Sequence, residues 1–358
     1  MRLSEIRRRV VLIGSATFVT GALLAVTAGS VQAASTGGSR AEAASSSAAA
    51  TVSASARSGA RAGASTADQA ASYWTPERMR SAISADTLVN GVKSSAPTRA
   101  KPTGPAYSVP PAAPVKPAVA GLAGAASAGN ATDRAGVAVN ASASVGKVFF
   151  HNPANGGNYV CSAGTVNSGS RLLVMTAGHC VHGGQGGQWM QNWVFVPLYN
   201  YGAEPYGRWS AKWLTTFNAW INDSNLERDV AYVTVWPNAS GQRPVDVLGG
   251  NGLSVNYSFQ QFVTILAYPQ APPFDGGWQQ YCQGTTSRPG TWPFQEYKIQ
   301  LRCGFTGGSS GAVWLRAYNG NLGYVNGVMS TLNSSGWNKS PYFDTAVADV
   351  YNSVANRV

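Results

Sequence analysis

The sequence predicts an all-β domain, a barrel or a sandwich, from about residue 141 to residue 358. Three observations carry that expectation. Short apolar or alternating runs bounded by Gly, Asn, Ser and Pro recur from Val145 onward, and many short strands between glycine-rich turns indicate such a fold. All four cysteines, Cys161, Cys180, Cys282 and Cys303, fall in this part. The residues before it are dominated by Ala, Ser, Gly and Pro, which bury too little apolar surface to offset the entropy of ordering.

Taken in order, the chain opens with a basic cluster, Arg7-Arg8-Arg9, an apolar stretch over residues 10–28, and Val31-Gln32-Ala33 before Ala34. That is the build of a cleavable secretory signal spanning residues 1–33. Gly14, Gly21 and several threonines dilute the apolar run, which speaks against an uncleaved membrane anchor. Residues 34–71 are almost all Ala, Ser, Gly and Thr and are expected to be disordered. A short amphipathic helix is expected near residues 74–84, because Thr75 suits the N-cap, Pro76 the first helical position and Glu77 the first turn. Residues 97–117 are proline-rich and read as an extended spacer, followed by a second Ala/Gly stretch. Residues 34–140 together read as a prosegment.

Within residues 141–358, strands are expected near 145–150, 171–175, 193–196, 230–235, 261–267, 298–301, 311–315 and 325–330, with a closing helix near 344–354. Trp189, Trp193, Trp209, Trp213 and Trp220 read as core and rim rather than as a carbohydrate-binding face. The net charge of +11 does not indicate nucleic acid, because it divides unevenly. Before Ala135 there are 14 Lys+Arg against 6 Asp+Glu, and after it 12 against 9, with no basic stripe in the C-terminal part.

Chemistry concentrates in three blocks. Thr176-Ala177-Gly178-His179-Cys180 supplies a histidine, Arg228-Asp229 opens a β-branched run, and Gly307-Gly308-Ser309-Ser310-Gly311 sets a serine among glycines. A serine hydroxyl is a poor nucleophile until a neutral imidazole accepts its proton, and a buried carboxylate fixes the imidazole tautomer. Glycines around the serine let the backbone turn tightly and free its N–H groups for an oxyanion. Asp229 is preferred to Asp223 and Glu227 because it opens a strand, and Ser310 to Ser309 because Gly308 and Gly311 flank it. His182 reads as an exposed loop residue and His151 as a surface residue. No third ligand joins His179 and His182, so no metal is expected. Cys180 is rejected as a nucleophile. An even cysteine count in an exported protein favours two disulfides, with three possible connectivities.

From about residue 145 to the C-terminus these blocks resemble the chymotrypsin-like serine peptidase family, in the secreted bacterial branch that carries T-A-G-H-C and T-G-G-S-S-G. The resemblance implies two six-stranded antiparallel β-barrels with the active site in the cleft between them. His179 as general base and Asp229 as its orienter come from the first barrel, and Ser310 as nucleophile from the second. The N–H groups of Gly308 and Ser310 form the oxyanion hole. Gly327-Val328-Met329-Ser330 lines the cleft, with Ser330 near Asp229. The residue six before the nucleophile, Gly304, leaves the primary pocket without the acid of trypsin-like enzymes, and Phe305, Thr306 and Met329 shape a small or medium apolar pocket. The expected disulfides are Cys161–Cys180 and Cys282–Cys303, each worth about 3 kcal/mol in the chain-entropy model.

Two departures are visible. Ala312 replaces a second glycine after the serine, and Ser309 replaces the aspartate that pairs with a newly cut N-terminus in animal relatives, so that activating ion pair is excluded. The block from Tyr73 to Met79 is similar to one in propeptides of secreted actinobacterial proteases. The expectation is therefore a secreted, extracellular serine endopeptidase made as a preproprotein, monomeric, without cofactor, and without stable membrane association once the signal is removed. Its partners are a protein or peptide substrate and its own prosegment. Two rivals are a protease-fold binding protein that does not catalyse and an esterase using the same triad.

Overall fold

The computed structural model describes residues 45–49, 62–89, 92, 104–115, 141–291 and 295–358. The expected signal at residues 1–33 and most of the Ala/Gly-rich stretches lie outside the described residues. Among the described residues no helix is long and apolar enough to cross a membrane.

The elements in chain order are β1 (Ser45–Ala49), α1 (Ala62–Tyr73), α2 (Pro76–Ser81), β2 (Ile83–Ser84), a 3-10 turn (Ala85–Leu88) and β3 (Tyr107–Val109). The first barrel follows with β4 (Val145–Asn152), β5 (Gly157–Thr165), β6 (Leu173–Thr176), β7 (Gln191–Pro197), β8 (Trp209–Phe217), α3 (Asn218–Asp223) and β9 (Ala231–Val235). After α4 (Pro244–Leu248) and β10 (Gly252–Val255) come β11 (Phe262–Ala267), β12 (Gln280–Thr285), β13 (Lys298–Arg302), β14 (Val313–Arg316), β15 (Tyr324–Val328), β16 (Thr331–Leu332), β17 (Trp337–Pro341) and α5 (Thr345–Val354).

Six antiparallel ladders close the first barrel in the order β4-β5-β6-β9-β8-β7 and back to β4. Closure removes open edges, and inward residues such as Val148, Phe150, Val174, Trp193, Phe195, Leu214 and Val233 fill the interior. The second half repeats the same order with β11-β12-β13-β17-β15-β14. Ladders join β11 to β12 and β14, β14 to β15, and β13 to β17. The remaining seams are lighter: a Ser287–Gln300 bridge leads from β12 to β13, and Val328 N donates to Ser340 Oγ at 2.9 Å between β15 and β17. Val263, Ile265, Ile299, Leu301 and Trp314 form its core.

Helix α5 ties the halves together. Asp344 caps it by accepting from Ala346 N at 3.1 Å, and Val347, Val350, Tyr351 and Val354 recur at helical spacing into the shared core with Phe217, Tyr232 and Val313. Asp344 also pairs with buried Arg228 at 2.9 Å, the residue before Asp229.

The N-terminal segment is part of this packing. Thr75 Oγ1 caps α2 by accepting from Arg78 N at 3.3 Å, and β2 pairs in parallel with Tyr159 and Val160 of β5. Strand β3 adds antiparallel to β10. Helix α1 reaches back into the stretch read as disordered. Alanine is the best helix former, and the barrel holds α1 through Ser210 Oγ to Ala67 O at 3.0 Å and Arg208 to Ala71 O at 2.8 Å.

Both disulfides are those expected, Cys161–Cys180 and Cys282–Cys303. The second joins β12 to the chain just after β13. Trp193, Trp209 and Trp220 are fully buried, whereas Trp189 and Trp213 are half-buried. One histidine reading needs correction. His182 is buried rather than exposed, its ring edge-on to Trp189 and its Nδ1 accepting from Gly184 N at 3.1 Å. His151 is half-buried, with Nδ1 3.2 Å from the hydroxyl of Tyr73.

Candidate active site

His179 lies in a 3-10 turn, Gly178–Cys180, just past the end of β6, and Asp229 lies two residues before β9. Because β6 and β9 pair directly, with Thr176 opposite Ala231, the two residues emerge side by side from one end of the barrel. The Cys161–Cys180 disulfide ties this turn to β5.

Asp229 is fully buried and both of its carboxylate oxygens are hydrogen-bonded. Oδ1 accepts from His179 N at 2.7 Å, while Oδ2 lies 2.8 Å from His179 Nδ1 and accepts from Ser330 Oγ at 2.6 Å. A carboxylate anchored in this way orients the imidazole and selects the tautomer with the proton on Nδ1. Burial opposes the charged imidazole, but the charge and hydrogen bond of Asp229, with a further contribution from Asp86, outweigh it and hold His179 above the ordinary histidine value. His179 Nε2 is buried and has no hydrogen-bond partner among the described residues.

Ser310 stands three residues before β14, in a loop whose shape two glycines make possible. Gly308 has φ +95° and Gly311 φ +80°, the left-handed region that penalises a Cβ. A Cβ on Gly311 would also overlap Thr176 Oγ1 and the carbonyl of Ser162. Ser162, on β5, braces this loop from the first barrel. Its N–H donates to Ser310 O at 2.7 Å, its hydroxyl donates to Gly308 O at 3.0 Å, and it accepts from Tyr268 N at 2.9 Å. A lone serine in a strand carries no local signal for this role, so sequence reading missed it.

The Ser310 hydroxyl does not donate to His179. It donates to Asp86 Oδ1 of the N-terminal segment at 2.7 Å, and Gly308 N donates to the same oxygen at 3.3 Å. Asp86 thus stands against two of the expected active-site groups, and sequence reading did not single it out.

The expected pocket residues are brought together unequally. Gly304, Phe305 and Thr306 lead along one segment into the Ser310 loop, and Met329 N and O bond to Ala312 O and Gly311 N at 2.9 and 2.7 Å. Phe305 and Met329 share an apolar cluster, and the buried side chain of Asn338, not foreseen, clamps both backbone groups of Phe305. Thr306 instead holds the facing loop by donating to Ala271 O at 2.9 Å. Ala312 is fully buried without a left-handed φ, so its methyl is accommodated. Ser309 is buried and donates to Thr306 O at 2.7 Å. Of the rejected acids, Glu227 accepts from Tyr297 N at 2.9 Å, and Asp223 ends helix α3 on the surface.

No family model and no curated protein matches the chain. Among solved structures it is similar to a thermostable serine protease, AL20, from an extremophilic microorganism, with 32% identity over 61% of this chain and 99% of that one, and a TM-score of 0.56. It is also similar to the protease Anisep from Arthrobacter nicotinovorans, with 34% identity over 60% of this chain and 97% of that one, and a TM-score of 0.56.

Proposed function

The chain belongs to the bacterial chymotrypsin-like serine peptidases, and from that premise we propose that it is a secreted serine endopeptidase made as a preproprotein. The observation that carries the reading is the Asp229 carboxylate, held by three hydrogen bonds. With His179 N, His179 Nδ1 and Ser330 Oγ all bonded to Asp229, the imidazole keeps Nε2 as the nitrogen available to a nucleophile.

In the active form Ser310 Oγ attacks the scissile carbonyl carbon and passes its proton to His179 Nε2. The negative oxygen of the tetrahedral intermediate takes the N–H groups of Gly308 and Ser310. Collapse breaks the C–N bond, the amine leaves with the proton from His179, and an acyl-enzyme remains. Water then attacks the ester with His179 again as base, releasing the acid and restoring the Ser310 hydroxyl. Asp229 stays ionised and stabilises the imidazolium at each transfer. The residues that do this work are the chain's own.

Export is supported by the leader-like N-terminus and by two disulfides, which persist in oxidising compartments. Gly304, Phe305, Thr306 and Met329 carry no acid, so the pocket expected beside Ser310 favours small or medium apolar side chains, and Lys or Arg substrates are expected to be cut poorly. The reading is tested with the secreted, processed protein by intact-mass spectrometry before and after a fluorophosphonate probe. Adduct on Ser310, abolished by Ser310→Ala, is the expected result. A folded processed chain that takes no probe overturns it.

A further inference from the structure

We propose that the segment from Tyr73 to Leu88 is a built-in inhibitor whose Asp86 side-chain carboxylate, rather than a peptide carbonyl, occupies the nucleophile and the oxyanion donor, so that it blocks the site without being cut. The inference rests on the protease reading above and adds the means of latency.

The geometry at Ser310 is that of a stopper. Asp86 Oδ1 accepts from Ser310 Oγ at 2.7 Å, from Gly308 N at 3.3 Å and from Ser84 Oγ at 3.2 Å. The serine proton is therefore committed to a carboxylate, and the imidazole nitrogen that must receive it, His179 Nε2, is left buried and unpartnered among the described residues. A carboxylate is negatively charged and resonance-stabilised, so its carbon is not an electrophile for Ser310, and no acyl-enzyme forms with the inhibitor.

The main chain around Asp86 is also arranged unlike a substrate. A scissile bond must be extended, with its carbonyl presented to the serine. Residues Ala85–Leu88 are instead wound into a 3-10 turn, in which Asp86 O accepts from Val89 N at 3.1 Å. Ser84 Oγ caps the turn by accepting from Asp86 N at 3.3 Å, and Thr87 Oγ1 donates to Ser84 O at 3.0 Å. The turn therefore pre-organises the carboxylate, which lowers the entropy lost on docking.

An anchor holds the stopper in place. Trp74, Met79 and Ala82 are buried against Phe149, Val160, Val194, Val196 and Tyr268. Polar contacts reinforce it: Trp74 Nε1 donates to Asn192 O at 2.5 Å, and Gln270 Nε2 donates to Ala82 O at 2.7 Å. At Gly307 the nearest atoms a Cβ would meet belong to Ser84 and Asp86, so the glycine beside the nucleophile loop is shaped to this segment. The occupant of the surface is thus a named stretch of the same chain, bearing an aromatic anchor and an acid about a dozen residues later.

The test compares the unprocessed full-length chain with its Asp86→Ala and Asp86→Asn variants by the rate of fluorophosphonate labelling at Ser310, with each protein also assayed after prosegment removal. We expect the unprocessed wild type to label at least a hundredfold more slowly than its processed form, and Asp86→Ala to recover most of that difference without processing. Asp86→Asn matches the native shape and serves if the alanine variant does not fold; a neutral acceptor binds more weakly than a charged one, so about tenfold faster labelling than wild type is expected. If the processed wild type labels quickly but neither folded variant labels faster than unprocessed wild type, the Asp86 assignment is overturned. If no form labels, processed or not, the protease reading itself fails.

Discussion

Replacing Ser162 by alanine removes a single hydroxyl from β5, yet it removes both side-chain hydrogen bonds of the brace between the first barrel and the Ser310 loop, leaving only the backbone bond from Ser162 N to Ser310 O. In the native structure that hydroxyl donates to Gly308 O at 3.0 Å and accepts from Tyr268 N at 2.9 Å, both within the protein interior. Alanine satisfies neither group. A buried donor or acceptor left without a partner costs about 1–3 kcal/mol, and two such groups that relax partly together put the loss at about 2–4 kcal/mol. For a domain of some 200 residues this corresponds to a fall in Tm of roughly 5–15 °C. The chemistry should suffer separately, because the proposed mechanism takes the Gly308 N–H as an oxyanion donor, and removal of one such donor outright costs about a hundredfold or more. Loosening its peptide rather than deleting it should slow labelling of Ser310 by about tenfold. The assay is thermal unfolding followed by circular dichroism, with fluorophosphonate labelling of the processed protein below the transition. A Tm within about 2 °C of wild type together with unchanged labelling would refute the reasoning, since the brace would then carry neither stability nor geometry.

Other outcomes follow from the same contacts. Gly311→Ala should lose at least about 3 kcal/mol or fail to fold, because it combines a left-handed backbone with overlap on Thr176 and on the Ser162 carbonyl; chemical denaturation measures this. Replacing Cys282 and Cys303 together by serine should cost about 3 kcal/mol from the released loop, read from the urea midpoint under oxidising conditions. In the proposed mechanism catalysis needs neutral His179, so activity should fall as pH drops through its raised value. The matching stability of the His179–Asp229 pair is full below about pH 6.5, the unfolded value, and is lost as pH rises through the folded one. Because Asp86 contributes to the raising, the imidazole should titrate lower in Asp86→Asn than in the wild-type full chain, observed by proton NMR. An unshifted or higher titration contradicts that contribution.

Legibility varied with the range of the interaction. Strands with continuous β-branched runs, such as Ala231–Val235, stood out because their burial needs apolar residues in sequence. Strand β5 did not: Gly157, Cys161, Ser162 and Gly164 weaken its strand signal, although Gly164 is needed where a Cβ would run into Val313 of the second half. Strand β8 shows in the sequence only as scattered tryptophans, because its polar residues interrupt the apolar ones on both faces. The helix at α2 was legible from its cap and proline, whereas the order in α1 depends on Arg208 and Ser210, more than 130 residues away.

The sequence by itself determined the chemistry available: one histidine at a turn, one aspartate at a strand start, one serine between glycines, an even count of four cysteines, and an N-terminal part poor in large apolar residues. Those signals are local, because caps, turns and strand burial act on neighbouring residues. The tertiary structure alone decided which groups share a proton. Asp86 and Ser310 are separated by 224 positions, and no pattern in either neighbourhood encodes a 2.7 Å hydrogen bond between them. That contact, like the Ser162 brace, exists only because packing of Trp74 and closure of the first barrel bring distant backbone to one place.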